Sequence, residues 1–141
     1  MKNQFCTLLL AFILMGSFAK AQSNENWQPV ALTAGGATNA NGIEATYELA
    51  SSGGHDVVIV KLVNHNTYAV KATWKDLIIT KNGQNLSGNN TQESVTIAPK
   101  IRASDDLGNT VQVTVKLSDF QTNATNFKSF DVSNFDVLSV Q

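Results

Sequence analysis

After residue 22, apolar and polar side chains alternate along most of the chain, which is the period of a β-strand rather than of an α-helix. The alternation is clearest over residues 43–49 and residues 110–117, where every second side chain is apolar. Strands of this kind bury one face and leave the other in water. Residues 56–64 are instead almost continuously apolar, which predicts a strand in the centre of a sheet.

Further strands are predicted on either side of these segments, at residues 27–33, 68–80, 93–98, 127–132 and 135–140. Pro29 indicates that the first of them lies at a sheet edge, because proline cannot donate to a strand ladder. The last two form either one long strand or two short ones divided at Ser133 and Asn134. In the segment 68–80, Tyr68, Val70, Ala72 and Trp74 share one face, and an irregularity is expected near Asp76.

Glycine, asparagine, aspartate and serine separate these segments at intervals of about 8–15 residues, which is typical of a β-sandwich. Residues 51–54 form a turn, and Asn82-Gly83 is a strong hairpin signal because both residues tolerate a positive φ. No segment of residues 22–141 has helical periodicity. The sequence therefore predicts an all-β fold, a single β-sandwich of seven or eight mainly antiparallel strands that spans residues 22–141.

Residues 1–21 have the pattern of a signal peptide for export. Lys2 is followed by an apolar run over residues 5–15 and by Ala19-Lys20-Ala21, a small-residue cleavage signal, so cleavage is expected between Ala21 and Gln22. The alternative is a buried N-terminal helix of the domain. The apolar run is too short to span a membrane, which needs about 20 residues, so we expect no transmembrane anchor after cleavage and a secreted or periplasmic location.

Composition changes when this segment is removed. The 141-residue chain has a net charge of −1, and loss of residues 1–21 takes away two lysines and no acids, which makes the charge −3. The single cysteine, Cys6, leaves as well, which excludes disulfides and thiol chemistry. An acidic chain also gives no basic face for nucleic acid.

Candidate catalytic chemistry is sparse. A serine triad needs a histidine beside a serine and a carboxylate, and the only histidines are His55 and His65, at the two ends of one predicted strand. Ten extended residues separate side chains by about 33 Å, so these two cannot share a zinc ion. The acidic residues show no pairing, and no glycine-rich phosphate loop precedes a helix. We expect no enzyme activity and no cofactor.

Two weaker binding hypotheses remain. Asp105, Asp106 and Asn109 carry oxygen atoms that could hold Ca²⁺, although such a cluster is also typical of a plain turn. Trp27, near the new N-terminus, is the aromatic side chain least constrained by its neighbours and is the candidate for stacking on a sugar. Alternation assigns Tyr47, Tyr68 and Trp74 to the core instead.

Over residues 53–83 the chain resembles small secreted proteins of Bacteroidota. The resemblance is carried by the valine-rich strand, the sequence Leu62-Val63-Asn64-x-Asn66, and Tyr68, Val70 and Trp74. It implies an immunoglobulin-like or fibronectin-like β-sandwich, a class mostly without an assigned function, and it brings no catalytic residues.

Together these features predict an exported, non-catalytic β-sandwich that acts through surface contacts with an envelope or extracellular protein. The partner would add a strand to an exposed sheet edge, for which residues 27–33 are the candidate. The alternative is a carbohydrate-binding module that contacts a polysaccharide through exposed aromatic side chains.

Overall fold

The architecture follows from the strand pattern: two antiparallel sheets pack face to face, which confirms the predicted β-sandwich. The computed structural model describes residues 26–102 and 109–141. The predicted signal peptide at residues 1–21, its cleavage site between Ala21 and Gln22, and the candidate calcium ligands Asp105 and Asp106 lie outside these residues.

Nine strands and one short helix are present in the described residues. In chain order the strands are β1 (Gln28–Pro29), β2 (Asn39–Ala40), β3 (Ile43–Ser52), β4 (His55–Asn64), β5 (Val70–Thr80), β6 (Asn85–Leu86), β7 (Gln92–Ile97), β8 (Thr110–Lys116) and β9 (Phe127–Ser139). The single-turn 3₁₀ helix Leu117–Phe120 follows β8. Two of the two-residue strands, β2 and β6, were not predicted, which accounts for the difference from the predicted seven or eight.

The first sheet has β4 at its centre, as its apolar sequence predicts. β4 pairs with β3 on one side and with β8 on the other, and the short strands β1 and β2 pair with the far edge of β3. β3 and β4 form a hairpin in which Ser52 lies opposite His55. Gly53 and Gly54 make the two-residue turn with φ of 58° and 79°, which confirms the turn predicted at residues 51–54.

The second sheet is built around β5. β9 pairs with one edge of β5 over its whole length, whereas β7 and β6 share the other edge, from Val70 to Lys75 and at Ile78–Ile79. The hairpin from β5 to β6 confirms the signal at Asn82-Gly83. Only Gly83 has a positive φ there, so the turn is a longer loop rather than a two-residue primed turn.

The final segment is one long strand rather than two. Between the pairs Thr73–Asp136 and Lys75–Ser133, β9 has one extra residue, so two residues lie opposite Trp74. Asn134 adopts a φ of 53° at this bulge, and a bulge sharpens the local twist of a strand. The irregularity expected near Asp76 therefore exists, but it lies in the neighbouring strand, and β5 itself continues regularly through Asp76.

The order of the six longer strands is that of an immunoglobulin-like sandwich. One sheet runs β3-β4-β8 and the other β9-β5-β7, which corresponds to A-B-E and F-C-C′ in immunoglobulin notation. Trp74 on β5 then occupies the place of the buried tryptophan typical of strand C. The position of strand G, beside β9, is taken by no strand of the described residues.

One hydrophobic core lies between the sheets. Its larger members are Val30, Ile43, Tyr47, Val60, Leu62, Val70, Trp74, Ile78, Ile97, Leu117, Phe120, Phe127 and Phe130. The even-numbered side chains of β5 all point into it, from Val70 to Thr80. Tyr47 contacts the rings of both Phe127 and Phe130, with ring centroids 6.1 and 5.9 Å away, so aromatic packing ties β3 to β9.

Two sequence predictions about the core were wrong. Tyr68 is 49% exposed, because it lies in the loop before β5 and not on the buried face that begins with Val70. The predicted strand at residues 27–33 is a strand only at Gln28 and Pro29, and one more backbone bond to β3, from the N–H of Val30 to the carbonyl of Ala45, follows it. Beyond Pro29 the chain turns inward, and Val30 and Leu32 enter the core.

Asn64 joins the two sheets at one end of the sandwich. It ends β4, is completely buried, and its side-chain Nδ2 donates to the carbonyl oxygens of Tyr68, Ile97 and Ala98 at 2.9, 3.3 and 3.0 Å. Its Oδ1 accepts a hydrogen bond from the backbone N–H of Asn66 at 2.9 Å. The Asn64 carbonyl in turn accepts from Nδ2 of Asn109 at 2.8 Å.

Gly42 is required by its surroundings as well as by its backbone. It has a φ of 76°, and a Cβ at this position would clash with the side-chain amide of Asn66. Gly54 has the same turn position and a similar φ in the β3–β4 hairpin, but nothing lies within 4 Å of its Cβ position. We therefore expect Gly42→Ala to lower the free energy of unfolding by about 2 kcal/mol and Gly54→Ala by about 1 kcal/mol. Urea denaturation would check this, and equal losses would contradict it.

Candidate functional site

Trp27, the predicted sugar-stacking residue, is partly buried beside β1. The ammonium Nζ of Lys61 lies 4.1 Å from the centre of its ring, in a cation–π contact. Lys61 lies on the outer face of the first sheet, between Thr46 of β3 and Gln112 of β8. One face of the indole ring therefore contacts protein, and the structure gives Trp27 a packing role on that sheet.

The two histidines lie at opposite ends of β4. His55 starts the strand at the β3–β4 turn, and His65 follows its last residue. Nε2 of His65 lies 3.0 Å from Oε2 of Glu44, and both side chains are largely exposed, at 39% and 50%. An exposed pair of this kind adds little stability, and the structure does not bring the two histidines together.

The candidate calcium residue that is described, Asn109, is held by the fold. It is 2% exposed, and its Nδ2 donates to the Asn64 carbonyl. Within residues 26–102 and 109–141, no three histidine, cysteine or carboxylate side chains lie close enough together to hold a metal ion.

A cleft that no pattern in the sequence predicts opens between the edges of β7 and β8. It has a volume of about 240 Å³, and Asp76 forms part of its wall. Asp76 lies in a stretch of β5 that has no partner on this edge among the described strands, because β7 pairs no further than Lys75 and β6 pairs only with Ile78 and Ile79. The loop between β6 and β7 leaves the sheet at this gap and contributes Ser87, Asn89 and Thr91 to the cleft.

Asp76 is a carboxyl group in a core position. It is 8% exposed, and its Oδ1 accepts a hydrogen bond from Nε1 of Trp74 at 2.7 Å. Burial raises the pKa of Asp76 to about 6; the Trp74 hydrogen bond opposes this rise, and the nearby charge of Glu93 adds to it. Asp76 is in phase with Trp74 and Ile78, so strict alternation along β5 was the signal that could have identified it.

A second feature is the outer edge of β9. Among the described strands, β9 pairs only with β5, and its 13 residues make it the longest strand of the sandwich. Near its end Leu138 is 58% exposed, and Val140 is 42% exposed. An edge strand of this length presents a row of backbone donors and acceptors to another chain.

Two aspartates modify this edge. Oδ1 of Asp131 accepts from the backbone N–H of Val132 at 2.8 Å, and Oδ1 of Asp136 accepts from that of Val137 at 2.9 Å. These two N–H groups therefore bond within β9 and not to β5. These contacts occupy two of the outward donors of β9 and, together with the bulge at Asn134, oppose unselective pairing of the edge.

Two cavities lie along β9 where the sheets meet. One, of about 220 Å³, is bordered by Tyr47, Leu49 and Phe127. The other, of about 470 Å³, is bordered by Leu32, Val132 and residues of the loop 31–36. Both lie on the side of β9 where strand G of an immunoglobulin-like sandwich would run. The sequence could not show this edge, because it depends on which distant strand β9 pairs with.

No helix in the described part of the chain is long and apolar enough to cross a membrane. No family model and no curated protein matches this sequence. Among solved structures, the chain is similar to a DUF1425 family member from Shewanella sp. pv-4, with 12% sequence identity and a TM-score of 0.43, over 70% of this chain and 77% of the other.

Proposed function

We propose that this chain is an exported, non-catalytic β-sandwich protein that binds an envelope or extracellular protein along the outer edge of β9. The observation that carries the proposal is the edge itself, a 13-residue strand that pairs on one side only with the other described strands. Export rests on the signal-peptide pattern of residues 1–21 and is in keeping with the resemblance to secreted Bacteroidota sandwiches. The separation of His55 and His65 along β4 supports a role without catalysis.

The edge at β9 replaces the one predicted from sequence. Residues 27–33 contribute only Gln28 and Pro29 to a sheet, and the residues after them turn into the core. That segment offers too few unpaired backbone groups to hold a second strand. β9 presents a 13-residue edge to an added strand. Hydrogen bonds from that strand supply affinity, and side-chain cavities supply selectivity.

The two cavities beside β9 define the segment that would fit. Phe127 and Val132, which border one cavity each, are five residues apart, or about 16 Å along a strand. In an added strand, side chains four residues apart lie on the same face at a spacing of about 13 Å. The partner segment is therefore extended, with two apolar side chains on one face, four to six residues apart, that enter the cavities.

Site-specific cross-linking in cells of the native source tests this binding surface. A photoreactive amino acid at Leu138 is expected to yield a cross-linked partner peptide that is extended and carries the apolar spacing described above. The same group at Gln112, an exposed residue of β8 that does not line the cleft, is the matched control and is expected to yield none. Mass spectrometry of the recovered protein should also place its N-terminus at Gln22. Equal cross-linking at both edges, or retention of residues 1–21, would contradict the proposal.

Backbone donors at the edge can be removed separately. The N–H of Val137 bonds to the side chain of Asp136 and not to β5, so an added strand would take this donor from Asp136. Val137→Pro removes the donor and leaves the β5–β9 ladder intact. We expect this variant to lose the Leu138 cross-link and Val137→Thr, which keeps the N–H, to retain it. Both variants should melt within a few degrees of the parent, and a cross-link that survives in the proline variant would exclude strand addition.

A further inference from the structure

The cleft between β7 and β8 contains a charge that the fold does not need. An ionised carboxylate in a core position lowers stability, because burial takes it out of water. Its only hydrogen bond among the described residues is the one that Oδ1 accepts from Trp74, and an asparagine oxygen could accept the same bond. Asp76 therefore lowers the stability of the fold, and it also lines a cleft. A buried acid in a cleft is a candidate binding-site residue.

The second carboxylate oxygen of Asp76, Oδ2, faces the cleft. Oδ2 has no hydrogen-bond partner among the described residues. It is also not fully enclosed, unlike Oγ1 of Thr46 and Oδ1 of Asn109, which are the fully buried side-chain atoms without a partner there. Asp76 lines the cleft, so this oxygen opens onto it. It offers an acceptor that protein groups leave unused.

Charges around the cleft determine what could fill it. Among the described residues, Glu93 and Asp119 also line it, against one basic side chain, Lys116. This excess of carboxylates favours a cationic occupant. The described residues provide no set of three metal-ligating side chains, so the favoured cation is an ammonium group, which needs acceptors but no fixed coordination shell.

The remaining walls suit a small polar molecule. Ser87, Thr91 and Thr114 bring hydroxyl groups, Asn89 brings an amide, and Phe120 brings an aromatic ring. The volume of about 240 Å³ is below the roughly 300–1,000 Å³ of sites for drug-sized ligands. We propose that this cleft binds a small hydroxylated amine, whose primary ammonium group lies between Asp76 and Glu93.

Binding of this kind depends on pH in a defined direction. The groups that face Asp76 are Glu93 on β7, Lys116 on β8 and Asp119 on the 3₁₀ helix, while its neighbour on β9 is the apolar Val132. The amine keeps its proton over this range, so the pKa of Asp76 near 6 controls the change. Affinity should rise about tenfold from pH 5 to pH 7, as Asp76 becomes ionised.

Calorimetric titration of the exported form, residues 22–141, provides the test. The probes are ethanolamine and glucosamine, each paired with its N-acetyl form, which keeps the hydroxyl groups and loses the charge. We expect at least one amine to bind, its N-acetyl form to bind about tenfold more weakly or not at all, and proton release to accompany binding near pH 6. Absence of binding by both amines, or equal affinity for the N-acetyl forms, would overturn the proposal.

Two variants test whether the amine binds in the cleft or elsewhere on the surface. Asp76→Asn keeps the acceptor for Trp74 and should lower amine affinity about tenfold and abolish the pH dependence. Glu44→Gln, on the outer face of the first sheet, is the control and should bind as the parent does. Unchanged affinity in Asp76→Asn would overturn the assignment of the cleft, whatever the outcome of cross-linking at β9.

Discussion

Asn64→Ala is expected to lower the free energy of unfolding by about 3 kcal/mol, more than any other single loss of polar contacts discussed above. The substitution removes the Nδ2 that donates to the carbonyl groups of Tyr68, Ile97 and Ala98. Buried carbonyl groups that lose their donor cost about 1–3 kcal/mol each, part of which water recovers at the more exposed ones. Urea denaturation would measure the loss, which corresponds to a fall in melting temperature of about 10 °C.

Two further variants sharpen this test. Asn64→Asp has nearly the same shape but turns a carboxylate oxygen towards three carbonyl oxygens, so it should destabilise at least as much as alanine. Asn85→Ala, at an exposed position of β6, is the control and should change stability by less than about 0.5 kcal/mol. A loss below about 1 kcal/mol in Asn64→Ala would show that these hydrogen bonds do not hold the sheets together.

The role of Asn64 also shows why the sequence placed Tyr68 incorrectly. Alternation treats residues 68 and 70 as equivalent positions of one strand face. In the structure, the bond from Asn64 to the Tyr68 carbonyl holds that residue in the loop between the sheets, and β5 begins only at Val70. Local periodicity carries no information about a hydrogen bond that closes a loop between two sheets.

The hairpins were predictable because their turns depend on the local sequence. The turns at Gly53-Gly54 and Asn82-Gly83 depend on residues that tolerate a positive φ, and this information is local. The central place of β4 was equally readable, because a strand with neighbours on both sides is apolar on both faces. The β9 edge and the bulge at Asn134 arise from pairing with β5, about 60 residues earlier in the chain, and no local pattern encodes that pairing.

At Asp76 the alternation along β5 was correct, but the burial that it predicts for this residue was not recognised. The alternation along β5 places Asp76 on the buried face with Trp74 and Ile78. A buried carboxyl contradicts the usual preference of acids for water, and the sequence interpretation resolved the conflict by assuming an irregular strand. The structure keeps the strand regular and buries the acid, and conflicts of this kind between local rules concentrate at functional sites.

The burial of Asp76 predicts the second large effect, a dependence of stability on pH. Burial raises the pKa of Asp76 to about 6 in the folded protein, whereas the unfolded chain has the ordinary value of 3.8. Between these values the folded state holds a proton that the unfolded state has released, so its contribution to stability is present below pH 4 and is lost as pH rises through 6. At pH 7 the ionised carboxylate therefore destabilises the protein.

Asp76→Asn should remove this penalty, because asparagine accepts the Trp74 hydrogen bond and cannot ionise. We expect the variant to be more stable than the parent by about 2 kcal/mol at pH 7, after allowance for screening by water in the cleft, and nearly equal to it at pH 4. Urea denaturation between pH 4 and pH 7 would measure both, with Asp119→Asn, an exposed acid of the same cleft, as the control. Lower stability at pH 7, or an unchanged slope with pH, would contradict the prediction. If Asp76→Asn is more stable than the parent and also binds the amine more weakly, then Asp76 serves ligand binding and lowers the stability of the fold.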